Sequence, residues 1–130
     1  MNAASAPTLD AARALQLLRE IVAERPDYVY DPPGVGRCVY TYAGKPSCIV
    51  AHVLTRAGWP VQRLITLDRR RPKLASVLAH LLPRYLPGVS EEAAQILRAA
   101  QKNQDQDHPW RQALAAAEAA ARRVSREATA

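Results

Sequence analysis

The residue pair best placed for chemistry is Cys48 and His52, four positions apart in the stretch GKPSCIVAHVLTRAG, 44–58. Helical spacing puts the two side chains on one face. A thiol in the first turn of a helix meets the helix dipole and open N–H groups, which lower its pKa and favour the thiolate. These residue types suggest a Cys–His nucleophile pair, or a metal site built from Cys38, Cys48 and His52 with His80 or His108. Three features weigh against both. Cys48 is flanked by Ile49, Val50 and Val53, and a cysteine among apolar neighbours usually acts as a small hydrophobe. No third orienting residue or oxyanion loop accompanies the pair. The close C-x-x-C spacing of zinc sites is absent. The expectation is a protein with no catalytic residues, cofactor or metal; Cys38, Cys48 and His52 are the ligands a metal would have to use.

The second constellation is electrostatic. The chain carries a formal charge of +6, and the excess is local. Segment 56–84 holds seven basic residues, Arg56, Arg63, Arg69, Arg70, Arg71, Lys73 and Arg84, against one acid, Asp68. The rest of the chain is balanced at eleven of each sign. Such asymmetry points to an anionic partner, either nucleic acid or an acidic protein surface, with a merely solvated basic loop as an equal competing reading. Gly58 also separates two helical stretches, the shape of a helix-turn-helix. Val53, Ala57, Trp59, Leu64 and Leu67 align with its buried positions. The second helix would display Gln62, Arg63, Thr66, Arg69 and Arg70, residue types that contact phosphates and base edges. Arg71 and Lys73 extend the same run. Leu54 is bulky where the helices of that motif cross, so an ordinary helical hairpin is the competing reading. Gly34-Val35-Gly36 and Gly44-Lys45 lack the spacing of a phosphate loop and read as turns.

The elements that must position these residues follow from patterning. At 130 residues the chain suits one domain. It is 48% hydrophobic but has no Phe, so the core rests on Leu, Val, Ile and Ala. No apolar run approaches the ~20 residues of a membrane span, and MNAASAPTLD does not read as a signal peptide. A cytoplasmic protein without membrane contact is expected. Residues 1–7 form a flexible tail. Thr8 caps a helix over 8–25, stopped by Pro26. Segment 27–42 predicts a β-hairpin, with strands at 28–30 and 38–42 about the breaker-rich turn 31–36. Tyr28, Tyr30, Tyr40 and Tyr42 lie in it; they could stack bases, although Tyr also suits half-buried strands. Helices follow over 46–126. The first starts at Pro46 and Ser47 and stops at Gly58, and another opens at Pro60. An apolar segment, 74–82, ends at Pro83 and Pro87. Another helix opens at Ser90 and reaches about Gln104. A polar connector, 103–109, leads to an Ala-rich helix from Trp110 to about Arg126, and 127–130 is a tail. Trp110, Leu114, Ala117, Ala121 and Val124 form a heptad seam. It packs on Ala94, Leu97 and Gln101 or, through 110–124 or the hairpin, makes a homodimer. The fold class is α+β, mostly helical, with one β-hairpin packed on the helices.

Two stretches, RCVYTYAGKPSCIVAHVLTRAG and AAQKNQDQDHPWRQALAAA, resemble a family of small uncharacterised proteins of actinobacteria and their phages or prophages. In that family a Q-x-x-Q-D stretch precedes a Trp and an Ala-rich helix. The resemblance implies an accessory protein of a mobile element or its host, and carries over no activity and no functional residues. The expected function is non-enzymatic: a small binding protein that engages a host or phage protein, or itself. The alternatives are a DNA- or RNA-binding regulator using segment 56–84, and a thiol or metal site at Cys48 and His52.

Overall fold

The computed structural model describes residues 6–31, 39–70 and 79–129. In chain order the elements are α1 (Ala11–Glu24), β1 (Thr41–Tyr42), β2 (Lys45–Pro46), α2 (Ile49–Ala57), α3 (Val61–Arg70), a 3-10 turn (Ala79–Leu81), α4 (Leu82–Tyr85), α5 (Glu91–Gln104) and α6 (Trp110–Thr129). This is the mostly helical α+β domain that the patterning predicts, with one antiparallel hairpin among the helices.

Its centre is the α5–α6 pair, which makes the most extensive helix–helix contact, with α1 lying against both and α2 against α1 and α5. Alanine permits that close packing. Ala93, Ala94 and Ala100 of α5 and Ala113, Ala117 and Ala120 of α6 are all buried. Larger side chains then fill the gap towards α1 and α2, among them Leu17, Leu18, Ile21, Ile49, Leu54, Ile96 and Trp110. The seam on α6 is the predicted one with a drift. Trp110, Ala117 and Val124 are buried, but Leu114 and Ala121 are half-buried while Ala113 and Ala120 are covered. A straight helix turns every 3.6 residues, so its buried stripe slips off a strict heptad. This surface is used inside the chain, against α5 and α1.

Several boundaries differ from the sequence reading. The N-cap of α1 is Asp10, whose carboxylate accepts from Arg13 N at 2.8 Å, and not Thr8. The reason is Leu9, which stays extended to form a parallel bridge with Val89. Helix α2 begins only after Cys48, because Lys45–Pro46 is strand and Ser47 N donates to Tyr40 O. Pro83 does not end a helix but sits in the first turn of α4, where its missing N–H costs nothing; residues 74–78 lie outside the described residues. Helix α6 continues to Thr129, since nothing after Arg126 breaks it.

The hairpin lies downstream of its predicted place. Thr41 pairs with Pro46 and Tyr42 with Lys45. Ala43 and Gly44, with φ of 53° and 78°, make the turn; both central residues of a tight two-residue hairpin turn need positive φ. Val29 bridges Pro109 instead of a neighbouring strand. Cys38, on the predicted second strand, lies outside the described residues.

Two buried amides hold separate elements together. The N-cap of α2 is Cys48, which makes no side-chain cap. Its place is filled from far along the chain. Gln104 Oε1 accepts from Ile49 N at 2.8 Å and from Trp110 Nε1 at 3.2 Å. Gln101 Oε1 accepts from Ala79 N at 2.9 Å. Both glutamines of the Q-x-x-Q-D stretch are thus fully buried: Gln101 lies in the packing expected of it, whereas Gln104, read as part of the polar connector, is core.

Two stability predictions follow. Replacing Gln104 by Leu orphans the Ile49 and Trp110 donors at about 1–3 kcal/mol each, read as a lower urea midpoint at unchanged m-value. A midpoint within error of the wild type rejects the capping role. At Gly88 an added Cβ would stand 1.9 Å from Pro7 O, beside the bonds from Leu9 N to Gly88 O and from Ser90 N to Leu9 O. Gly88→Ala is expected to cost more than Gly44→Ala, towards the upper end of about 1–3 kcal/mol. Gly44→Ala meets no atom within 4 Å and carries only the positive-φ penalty, about 1 kcal/mol. Equal urea midpoints for the two variants would contradict this account.

Candidate anionic-partner interface

Helix α3 starts after Pro60 and turns Leu64 and Leu67 into the core, with Val61, Ile65 and Asp68 half-buried. The remaining positions of known exposure, Gln62, Arg63, Thr66 and Arg69, face solvent. These are four of the residues the sequence assigned to an anionic partner, and they share one side of one helix. Arg70 is the last residue of α3, and Arg71 and Lys73 lie outside the described residues.

Asp68 decides the electrostatics of this side. It is the only acid of segment 56–84, and its carboxylate is turned towards the hairpin. One oxygen accepts from Tyr40 N at 3.1 Å; the other accepts from Thr41 N at 2.9 Å and Thr41 Oγ1 at 2.8 Å. A carboxylate held by three donors pins the hairpin to α3. Helix α4 adds to the exposed side. A pocket of about 240 Å³ is lined by Arg63, Thr66, Leu67, Arg84 and Tyr85. Arg63 Nη2 donates to Tyr85 O at 3.1 Å, which holds its guanidinium at the rim. Thr66 Oγ1 donates to Gln62 O at 3.0 Å. Arg84 and Tyr85 were absent from the predicted interface. Arg84 had a signal in the local charge excess; Tyr85 had none. Arg56, counted in that excess, is engaged elsewhere by an ion pair with Glu24 at 2.6 Å. Among the described residues Arg63, Arg69 and Arg84 enter no ion pair.

The helix-turn-helix alignment holds for burial but not for packing. Val53, Trp59, Leu64 and Leu67 are buried and Ala57 is half-buried. Yet α3 packs chiefly on β1 and β2, whereas in that motif the second helix crosses the first. Leu54 is fully buried in the core.

The tyrosines do not form a stacking platform. Tyr40 is fully buried and Tyr30 nearly so, its hydroxyl 2.9 Å from Ser47 Oγ and within hydrogen-bond reach of Val39 N and O. Tyr28 is half-buried, edge-on to Trp110 with centroids 4.8 Å apart. Only Tyr42 of the four is exposed. Tyr40 precedes β1 and enters the core, while Tyr42 sits at the hairpin turn and is exposed.

The structure likewise separates the environments of Cys48 and His52. Cys48 is wholly enclosed by the core, so a substrate has no route to its thiol. His52 lies at the edge of the core, edge-on to Trp110 at 5.6 Å. The Arg25 guanidinium stacks over Tyr28 at 4.4 Å and over Trp110 at 4.9 Å. His80 is exposed on the 3-10 turn and His108 is half-buried in the α5–α6 connector. Among the described residues no cluster of three His, Cys, Asp or Glu could hold a metal ion, and no helix is long and apolar enough to cross a membrane.

Burial, then the charges of Arg25 and Arg56, hold His52 below the usual imidazole range, opposed by Glu24. The folded protein therefore keeps His52 neutral where the unfolded chain takes up a proton, near pH 6.5. The unfolded state binds more protons there, so this contribution to stability is present above that pH and is lost as pH falls below it. His52→Gln should flatten the decline of thermal midpoint between about pH 7 and about pH 5. A slope identical to that of the wild type would exclude His52 as its source.

Comparison of the chain with protein-family models, with curated proteins and with solved structures finds no match.

Proposed function

We propose that this protein is a non-enzymatic binding module that engages an acidic macromolecular partner through the cationic side formed by α3 and α4. The observation that carries the reading is the inward turn of Asp68. Its carboxylate accepts from Tyr40 and Thr41, and among the described residues Arg63, Arg69 and Arg84 enter no ion pair with it or with any other acid. Clustered guanidinium groups of one sign steer anionic partners and supply forked donors to carboxylate or phosphate. The partner favoured is a protein with an acidic surface, in keeping with a cytoplasmic accessory protein of a phage or its actinobacterial host. Self-assembly through 110–124 is disfavoured, because Trp110, Ala117 and Val124 are buried against the chain's own helices.

A second reading, nucleic-acid binding, has a specific observation behind it. Gln62, Arg63, Thr66 and Arg69 are exposed together on α3, and side chains of these types contact phosphates and bases.

Capture from host lysate, with and without nuclease, compared between the wild type and the R63E/R69E/R84E variant, tests both. The three side chains are exposed, so the thermal midpoint should shift little. Bound partner should fall by at least about tenfold in the variant and decline with added salt. Capture that survives nuclease identifies a protein; capture abolished by nuclease identifies nucleic acid. Equal capture by the variant would remove the α3–α4 side from consideration.

A further inference from the structure

We propose a second recognition surface, on different elements: the outer groove between α5 and α6 docks an acidic amphipathic helix of a partner protein. The groove measures about 500 Å³. Its floor is apolar and shallow, made by Ala99, Ala116 and Ala119, all half-buried. Its rims carry Arg98 and Lys102 from α5 and Arg123 from α6, and no acidic side chain lines it among the described residues.

This charge is invisible in the sequence. Segment 91–129 contains six basic and six acidic residues, which suggests a neutral surface. Folding sorts them. Glu118 turns to Arg19 of α1 at 3.1 Å, and the groove keeps cations alone.

The geometry selects the occupant. Alanines on both walls let another backbone approach closely and leave an apolar strip for its apolar side chains. Phosphates laid on that strip would lose water without gaining donors. Arg98 and Lys102 stand one helical turn apart, which matches carboxylates spaced i, i+4 along a docked helix. A second copy of this chain would bring a like-charged groove and a net charge of +6, which opposes self-pairing.

The test is a titration of the full chain, by amide chemical-shift mapping and fluorescence anisotropy. The probe is a synthetic helix of about 18 residues with Ala and Leu on one face and Glu pairs at i, i+4 on its flanks. The controls are a scramble of the same composition and a DNA duplex. Saturable shifts confined to residues 95–106 and 116–123 are expected. Affinity should fall by at least about tenfold in R98E/K102E/R123E, which reverses the rims. It should fall similarly in A116L/A119L, which fills the floor without changing charge; thermal midpoints verify that each variant folds. R63E/R69E/R84E should bind this peptide like the wild type, so the two proposed surfaces fail or stand separately. Absence of groove shifts at millimolar peptide overturns the proposal. So does equal affinity for the scramble or the duplex, or undiminished binding by A116L/A119L.

Discussion

A single buried amide, Gln104, joins three helices, and the arrangement of the molecule depends on it. Helix α2 begins with four N–H groups that need acceptors, and its capping residue is a cysteine, whose sulfur accepts weakly. The same carbonyl oxygen that receives Ile49 N also receives the indole N–H of Trp110. The last residue of α5 therefore sets the start of α2 and the start of α6 at one point. Around that point lie Trp110, fully enclosed, and the ring contacts of Tyr28 and His52. An amide suits the position better than a carboxylate, which would bury a net charge among apolar neighbours.

The same economy recurs wherever short elements must be held. The 3-10 turn is received by Gln101 through Ala79 N. The two-residue strands of the hairpin are too short to be stable alone, and they are held by the Asp68 carboxylate on α3. Tyr30 ties its own strand-like stretch to Val39 and Ser47 on either side of β1 and β2. The entries to α1 and α5 are joined by the Leu9–Val89 bridge, at a closeness only Gly88 permits. In each case a side chain or a missing Cβ does work that a longer sheet or helix would do with backbone alone.

These fixings also shape the surface. Asp68 bonds to the hairpin and Glu118 pairs with Arg19, and among the described residues neither pairs with Arg63 or Arg123. The structural ion pairs and hydrogen bonds thereby leave two cationic areas, one on α3 and α4 and one between α5 and α6. Net charge by segment anticipates the first and misses the second, because a count along the chain ignores the direction in which each carboxylate points.

The helices with strong punctuation are legible in the chain alone: Gly58 after α2, Pro60 before α3, Ser90 before α5 and Trp110 at the start of α6. Local rules govern these ends, so local residues reveal them. Equally legible are the buried positions Leu64 and Leu67 and the solvent side of α3, since helical periodicity is a property of neighbours. The rest was settled by contacts between distant segments. The hairpin fell at Ala43 and Gly44, and not across 27–42, because Tyr30 and Tyr40 were needed in the core. The cap of α1 moved to Asp10 because Leu9 had a partner eighty residues away, at Val89. Gln104 read as the start of a polar connector, yet it became core, as did Gln101, because the donors they satisfy, Ile49 N and Ala79 N, arrive from distant segments. A polar residue's partner is set by what folding brings beside it, and no spacing within the sequence encodes that meeting.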